Sequence, residues 1–425
     1  MSEEAAALPY VLGVDVGSTR TAAAVCRLGG AGRGEPEPVD LGGPGGGVAS
    51  TLQLTPDGAF AVGEPGDPRW TATGFVRRLG DTTPVVLGGV ERIPAEELTA
   101  LLVMWVVDQV AAREGERPEH VVLAHPPGWG PHAKGLAHRA LRSVGVAASL
   151  VPEPVAAAEN HAFTRSPVGP LGVFSLGSHA FSASVVGRGF ELVATADGVD
   201  QAAGADFDDA VLAHVRTSLG RELTDLDPDD PRTRGLHARL RRDCEAAKRV
   251  LSGTVETAIP VHLPSGRVDV PITRAQFEDL VRADVEQAVS LFTRVASGVA
   301  MTVLVGGSAR IPLVAASVPG RVVLEAAPET SVVKGAALAA RRLVVGPDAE
   351  PEPIETSVLV RDDDPLLRFP VGSLDVPDAE FTAPPPRPPV DITPLDLPER
   401  RTVKRVVRGL VVTGGRRARD PEDGR

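Results

Sequence analysis

The 425-residue chain is too long for one hydrophobic core, because single cores stop growing near about 250–300 residues. Fourteen of its 39 prolines fall within residues 344–425, so the sequence divides into a predicted folded body and a Pro-rich tail. The net charge of −12 argues against nucleic-acid binding over the whole surface, although the residues from 400 onward carry +6 and residues 1–399 carry −18.

The compartment is predicted from the cysteines and the first residues. Two cysteines, Cys26 and Cys244, are too few for a disulfide framework, and no C-x-x-C or H-E-x-x-H spacing indicates a metal site. Residues 1–9 lack the basic start and the long apolar stretch of a signal peptide, and no run of 18 apolar residues follows. We therefore expect a cytoplasmic protein.

The body alternates short apolar runs with long amphipathic segments, which is typical of an α/β fold. The pattern predicts strands at residues 11–16, 22–26, 121–124, 172–176, 182–186, 257–262 and 302–305. It predicts helices at residues 95–113, 131–143, 206–219, 233–251, 274–295 and 331–343.

An internal repeat relates two of the predicted strand pairs. Residues 12–25 (LGVDVGSTRTAAAV) and 171–186 (LGVFSLGSHAFSASVV) share an apolar strand, a turn of glycine and small residues, and a second strand. Each segment predicts a tight β-hairpin, and the pair predicts a duplicated domain whose two turns face each other across a cleft. Backbone amides in such turns can approach an anion closely, so the turns either bind phosphate or are purely structural.

Three groups of side chains or loops are candidates for ligand binding. Asp15 ends the first strand, where it would hold Mg²⁺ through water or cap its own turn. Glu245, Lys248, Arg249 and Ser252 share one helix face, which would contact a base and ribose or simply lie in solvent. The strand at 302–305 runs into a glycine pair before a helix start, which predicts either a nucleotide contact or an ordinary loop.

Eight segments, taken together, resemble the nucleotide-binding region of DnaK-type chaperones, which form the heat-shock protein 70 family of the actin-like ATPase superfamily. They occur in the family's order from residue 12 to 340: LGVDVGSTRT, VVLAHPPGW, VPEPVAAAENHAF, AGADFDDAVLAHV, DCEAAKRVLSG, ITRAQFEDLV, VLVGGSARIPLV and APETSVVKGAALAA. The resemblance implies an α/β actin-like ATPase fold with two duplicated lobes around a nucleotide cleft. Lobe I would span residues 10–170, lobe II residues 171–343 and the tail residues 344–425.

The same resemblance implies a site for ATP or ADP with Mg²⁺. Asp15 and Glu153 would be the catalytic residues, and Asp15 would also hold the metal through water. Arg249 and Arg310 would stack on the adenine from either side. The implied nucleotide-binding residues are Gly17, Ser18, Thr19, Gly177, Gly204, Glu245, Lys248, Arg249, Ser252, Gly306, Gly307, Ser308, Arg310 and Glu329.

The second turn departs from the family pattern. Where the family has DLGGGTFD, residues 175–182 read SLGSHAFS, without both carboxylates and the threonine. The family's catalytic lysine aligns with Val76, or with Arg77 after a one-residue shift. Losing one charge-compensating contact typically costs ~3–4 kcal/mol in the barrier. We therefore expect this chain to bind ATP but to hydrolyse it slowly or not at all.

The tail supplies a second departure, because only 82 residues follow Leu343 and residues 382–389 (TAPPPRPP) predict extended chain. A family-type substrate-binding domain is therefore not expected. Residues 400–412 form a short basic amphipathic segment that would dock on a protein partner or on the body, with membrane contact as the alternative. The oligomeric state is not predicted.

The leading hypothesis is an ATP- or ADP-binding DnaK-like protein that acts through protein partners. The alternatives are an ATP-hydrolysing chaperone-type ATPase, an actin-like membrane-associated scaffold and a metabolite kinase.

Overall fold

The protein is described from a computed structural model, which covers residues 8–29, 34–63, 66–165, 169–197 and 202–346. The predicted Pro-rich tail and its basic segment at residues 400–412 lie outside the described residues.

The described strands and helices alternate along the chain. The strands are β1 (Tyr10–Val16), β2 (Arg20–Arg27), β3 (Glu37–Val39), β4 (Val48–Ala49), β5 (Leu52–Leu54), β6 (Phe60–Val62), β7 (Thr71–Ala72), β8 (Val85–Leu87), β9 (Glu91–Ile93), β10 (His120–His125), β11 (Ala148–Pro152), β12 (Leu171–Leu176), β13 (Phe181–Val186), β14 (Leu192–Asp197), β15 (Glu256–Leu263), β16 (Gly266–Thr273), β17 (Met301–Val305) and β18 (Arg321–Leu324). The helices are α1 (Ala95–Glu114), α2 (Pro131–Ser143), α3 (Glu153–Thr164), α4 (Gly204–Leu219), α5 (Arg221–Thr224), α6 (Pro231–Leu251), α7 (Arg274–Val295), α8 (Pro312–Ser317) and α9 (Ser331–Val345). All seven predicted strands and six predicted helices are present.

Local sequence explains where the long helices begin. Helix α6 starts at Pro231 because the Asp230 side chain accepts a hydrogen bond from the Arg232 amide at 2.8 Å, and proline fits the first turn. Helix α7 starts after Thr273, whose hydroxyl accepts from the Gln276 amide at 3.2 Å while the Gln276 side chain accepts from the Thr273 amide. These caps satisfy amides that the helices themselves leave unpaired.

Two main sheets repeat the same strand arrangement. The first sheet has the order β11-β10-β1-β2-β3, with β4 also paired to β2, and the second has the order β18-β17-β12-β13-β14. In each sheet an antiparallel hairpin, β1–β2 or β12–β13, is followed on one side by two parallel strands. The duplication predicted from the repeated hairpin sequence is therefore confirmed.

Helices α3 and α9 cross between the two sheets. Both are rich in alanine, and their buried side chains form one core cluster with residues of both sheets. A Cβ at Gly335 of α9 would collide with the Ala156 backbone of α3, so the two helix backbones are in direct contact. Helix α9 packs on β1, β2 and β10, whereas α3 packs on β12, β13 and β17. Helix α9, the last of the described helices, thus packs on the first sheet, and α3 also contacts β10 and β11 of that sheet.

None of the helices in the described ranges is both long and apolar enough to cross a membrane.

Candidate functional site

The two hairpin turns, residues 17–19 and residues 177–180, close in the same way. The Gly17 amide donates to the Arg20 carbonyl at 3.0 Å, and the Gly177 amide donates to the Ala180 carbonyl at 2.9 Å. Ser50 supports the first turn, because its hydroxyl donates to the Gly17 carbonyl at 2.7 Å and its amide donates to the Thr19 carbonyl at 2.9 Å. We call these loops the first turn and the second turn.

The two turns touch each other through their side chains. The Ser18 hydroxyl of the first turn lies 3.3 Å from Nδ1 of His179 in the second turn. The two residues are 161 positions apart in sequence, so this hydrogen bond joins the tips of the two duplicated hairpins. The predicted placement of the turns opposite each other is therefore observed.

The second turn is anchored to the start of α4. The Gly204 amide donates to the Gly177 carbonyl at 3.0 Å, and the Ser308 hydroxyl donates to the same carbonyl at 3.2 Å. A Cβ at Gly204 would collide with the Ser308 hydroxyl, and Gly306, with φ of 89°, packs its backbone against the Leu176 carbonyl. Glycine is required at both positions, so Gly177, Gly204, Gly306 and Ser308 form one cluster.

Lys248 extends this cluster onto α6. Its ammonium donates to the Gly204 carbonyl at 2.6 Å and pairs with the Asp208 carboxylate at 2.8 Å. Both side chains are nearly buried, at 10% and 12% exposure. Burial raises the pKa of Asp208 to about 6, and the nearby Lys248 opposes that rise. Sequence reasoning missed Asp208, although its spacing of four residues from Gly204 places it one helical turn further along α4.

The remaining residues of the predicted adenosine face lie at the outer end of α6. Arg249 donates to the Glu245 carboxylate at 2.6 Å, and the Ser252 hydroxyl is 3.4 Å from the Lys248 carbonyl. Burial lowers the pKa of Arg20 on β2, the charge of Arg249 lowers it further and the charge of Glu245 raises it. These effects indicate that the Arg20 guanidinium lies within electrostatic range of this end of α6. Arg20 is a second residue that sequence reasoning missed, and it brings a guanidinium from the first sheet toward α6.

Arg310 and Glu329 form a two-point ion pair. The Arg310 Nε and Nη2 atoms donate to the two Glu329 carboxylate oxygens at 3.0 and 2.9 Å, and Nη2 also donates to the Ala326 carbonyl at 2.9 Å. Such a pair fixes the plane of the guanidinium, as stacking on a base requires. Gly307 lies beside it, and a Cβ there would meet nothing within 4 Å.

Asp15 and Glu153 are brought together at one edge of the first sheet. Asp15 is at the end of β1, and Glu153 begins α3 directly after β11; β1 and β11 both pair in parallel with β10. Burial raises the pKa of both carboxyls, and the charge of Asp15 raises that of Glu153 further. Neither carboxylate has a hydrogen bond or ion pair to another of the described residues.

This carboxyl pair fits a divalent cation, because a cation would favour the ionised forms of two neighbouring, partly buried carboxyls. The described residues contain no group of three or more histidine, cysteine or acidic side chains that could enclose a metal alone. A cation at Asp15 would therefore complete its shell with water and phosphate oxygens, as Mg²⁺ commonly does beside nucleotides.

Val76 and Arg77, the two residues that align with the family's catalytic lysine, lie in different surroundings. Val76 is 5% exposed and packs in the core of the first sheet, whereas Arg77 is exposed. Burial lowers the pKa of His179 and the charge of Arg77 lowers it further, so the guanidinium lies close to the second turn. Of these two residues, only Arg77 keeps its side chain outside the core.

Comparisons with known proteins agree with this architecture. The family model described as Hsp70 protein matches residues 80–352. The chaperone protein DnaK of Elusimicrobium minutum (strain Pei191) is 29% identical over 332 residues, which cover 72% of this chain and 52% of that protein. The chaperone protein DnaK of Methanothermobacter thermautotrophicus is 28% identical over 328 residues, with 72% and 54% covered.

Heat shock 70 kDa protein BIP3 of Oryza sativa subsp. japonica is 31% identical over 246 residues, which cover 53% of this chain and 36% of that protein. The chain spans about half the length of the two DnaK relatives. Because the family model covers more than half of the chain and the duplicated sheets enclose the predicted turns, this protein belongs to the Hsp70 family and has its actin-like ATPase fold.

Proposed function

We propose that this chain binds ATP or ADP together with Mg²⁺ between its two hairpin turns, and that it hydrolyses ATP slowly or not at all. The observation that carries the proposal is the hydrogen-bonded cluster that joins the second turn to α4 and α6 through Gly177, Gly204 and Lys248. Because the Gly17, Gly177 and Gly204 amides already donate to carbonyls, an anion would be held by the other amides at the tips of the two turns, near the ammonium that Lys248 shares with Asp208.

The polar residues divide the work of binding. Arg249, Glu245 and Ser252 would contact the base and ribose, and Arg310, held in plane by Glu329, would stack on the adenine. The amides of the two turns would hold the phosphates. Bound Mg²⁺ would supply positive charge at the phosphate oxygens, with Asp15 holding its water ligands.

Slow hydrolysis follows from what the second turn lacks. Ser175 pairs with Ser182 across the β12–β13 ladder, where the family has two aspartates, and Ala180 replaces the threonine. Asp15 and Glu153, the two carboxylates predicted to be catalytic, belong to the first turn's side of the site. The second turn therefore lacks two carboxylates that would help to hold the metal and a hydroxyl that would contact the terminal phosphate, and each loss is expected to slow the reaction by roughly 10²–10³.

One observation favours the alternative of measurable turnover. Arg77 lies close enough to His179 to lower its pKa, so a permanent positive charge stands near the second turn. A guanidinium can compensate charge at a transferring phosphoryl group, as lysine does. Under this alternative Arg77→Ala lowers the single-turnover hydrolysis rate, whereas under the main proposal there is little rate to lower.

The binding test is calorimetric titration with ATP and with ADP, each with and without Mg²⁺. The informative variant is Arg249→Ala, which we expect to weaken ADP binding about tenfold by removing a base contact. The matched control is Arg239→Ala, because Arg239 is an equally exposed arginine on α6 that pairs with Asp243 at 3.6 Å one turn away. Equal losses in both variants, or no binding by the unmodified chain at millimolar nucleotide, would contradict the proposed site.

The hydrolysis test is a single-turnover measurement with the same protein. Little product is expected over hours from the unmodified chain, because the carboxylates of the second turn are missing. A rate equal to that of an ordinary DnaK measured alongside would overturn this part of the proposal. Nucleotide binding and turnover are thus tested separately.

Action through protein partners, and a place in the cytoplasm, are part of the same proposal. The similarity to DnaK chaperones supports protein partners in general. Cys244 is a buried free thiol, which supports a reducing compartment. A change of the hydrogen-exchange protection of surface helices on adding ADP would support nucleotide-controlled partner binding, and unchanged protection despite measured binding would oppose it.

A further inference from the structure

His179 occupies the tip of the second turn in a position that closes the space between the two turns. Its side chain is exposed to the cleft, and its Nδ1 atom lies 3.3 Å from the Ser18 hydroxyl of the first turn. We call this contact the tip bridge. It links the two duplicated hairpins directly through their side chains. A ligand held by both turns would therefore lie next to this contact.

A phosphate group does not fit within the tip bridge as it stands. Hydrogen bonds to phosphate oxygens are about 2.8 Å long, so two donors on opposite sides of one phosphate lie roughly 5 Å or more apart. The observed separation of Ser18 and His179 is 3.3 Å. A phosphate that enters here must break the bridge and turn the imidazole away, which costs a hydrogen bond and a rotamer.

The contacts of the cluster indicate which phosphate would meet the bridge. Starting from Arg249 on α6, the chain of contacts runs through Lys248 to Gly204, then to Gly177 and finally to His179 one residue beyond Ser178. A nucleotide whose base lies at Arg249 would therefore extend its phosphates toward the tip bridge. ATP reaches one phosphate further than ADP, so the bridge opposes the terminal phosphate of ATP most.

The charge of His179 points in the same direction. Burial lowers its pKa, as do the charges of Arg77, Lys248 and Arg241, while Asp206 raises it. The lowered pKa favours the neutral imidazole, which offers a terminal phosphate no positive charge in exchange for the space that it takes.

We propose that His179 makes this cleft prefer ADP to ATP, by bridging to Ser18 across the place that the terminal phosphate would occupy. The proposal rests on the proposed nucleotide-binding function and adds the identity of the preferred nucleotide. It assigns a role in nucleotide selectivity to His179, a residue that from sequence alone only adds bulk to the second turn.

The test compares the ratio of the ATP and ADP dissociation constants in three proteins, measured by calorimetry without hydrolysis over the time of the titration. The unmodified chain should bind ADP at least about tenfold more tightly than ATP. His179→Gly should bring the two affinities to within about threefold, mainly by strengthening ATP binding. Ser178→Gly is the matched control, since it loosens the same tip but keeps the bridge, and it should retain the preference for ADP.

The possible outcomes separate this proposal from the function on which it rests. Equal affinity for both nucleotides in the unmodified chain, or an unchanged ratio in His179→Gly, would overturn the selectivity while leaving nucleotide binding intact. A failure to bind either nucleotide would overturn the proposed function and the selectivity with it. Unfolding curves of the three proteins without nucleotide should coincide, because the tip is exposed, and this checks that each variant is folded.

Discussion

Asp15 and Glu153 place two carboxyls in a site without a described counter-charge, and this makes stability depend on pH. Their pKa values are raised in the folded protein, so folding favours the protonated forms. Their contribution to the free energy of unfolding is fully present at a pH below the pKa of the two carboxyls in the unfolded chain. It is lost as the pH rises through their higher pKa values in the folded protein.

Glu153→Gln should therefore stabilise the nucleotide-free protein increasingly as the pH rises above 4.5, the ordinary pKa of glutamate. Each unit of pKa shift corresponds to about 1.4 kcal/mol, so we expect a gain of at least about 1.4 kcal/mol at pH 7.5 and little change at pH 4.5. Urea unfolding at several pH values without metal measures the effect. Glu222→Gln, at an exposed glutamate of α5, is the control. A gain that does not vary with pH would contradict the argument.

Lys248 and Asp208 form a buried ion pair whose two members depend on each other. Lys248→Met leaves Asp208 without its partner and should cost about 3–5 kcal/mol of unfolding free energy. Adding Asp208→Asn should recover most of that loss, since no buried charge then remains unpaired. Arg241→Met is the control: it breaks the neighbouring exposed pair with Asp209 on the same two helices and should cost less than about 1 kcal/mol.

Chemical denaturation of the four proteins measures these costs. If the buried and the exposed variants lost the same free energy, Lys248 would not be acting as a buried partner of Asp208.

Much of the site at this scale was predictable from sequence, and the misses share one cause. Gly177, Gly204 and Ser308 were predicted from motifs and do contact one another. The predicted set did not include Asp208 or Arg20, because their roles depend on which helix or strand packs opposite them. The choice between Val76 and Arg77 likewise required knowing which side chain enters the core.

At the scale of elements, the close crossing of α3 and α9 requires a residue without a side chain, Gly335, at the point of contact. Gly335 contacts the backbone of Ala156, and the small alanines on both helices permit that approach. On α6, by contrast, Gly235 is exposed and a Cβ there would meet nothing within 4 Å. The two glycines are both helical, so they separate the effect of packing from the effect of helix propensity.

Gly335→Ala should destabilise the protein by about 3 kcal/mol or more, because the added methyl forces the helix backbones apart. Gly235→Ala should instead stabilise it by up to about 1 kcal/mol, since alanine is the better helix former. Thermal and urea unfolding of both variants measure the difference. Similar changes in both variants would mean that the crossing tolerates a wider separation than its contacts indicate.

Most of the long periodic elements were predictable, whereas β11, β14, β16, β18 and the short strands β3 to β9 were not. Strands of two or three residues, such as β4 and β7, are too short to show an alternation of polar and apolar residues. They exist because neighbouring strands offer them hydrogen-bond partners, as β2 does for β4. Helix α3 was recognised only as a motif, because its run of buried alanines carries no amphipathic period.

For the whole molecule, the shared core around α3 and α9 predicts a single unfolding transition. All three tryptophans, Trp70, Trp105 and Trp129, lie before β12, so fluorescence reports on the part of the protein around the first sheet. Far-ultraviolet circular dichroism also reports on the long helices α4, α6 and α7, which belong to the part of the protein around the second sheet. We expect the two signals to change at the same urea concentration, since neither sheet keeps its full core alone.

Two separate midpoints would contradict this coupling. Gly335→Ala offers a second measurement, because it should move both midpoints together rather than one of them.

The packing of α9 on the first sheet also orders events during synthesis. The face of the first sheet formed by β1, β2 and β10 is covered by α9, which ends at Val345. A ribosome must therefore translate both halves of the described fold before the first sheet can bury that apolar face. The nascent first half carries an exposed hydrophobic surface throughout that interval, so a member of a chaperone family is itself, while being made, a chain of the kind that chaperones protect.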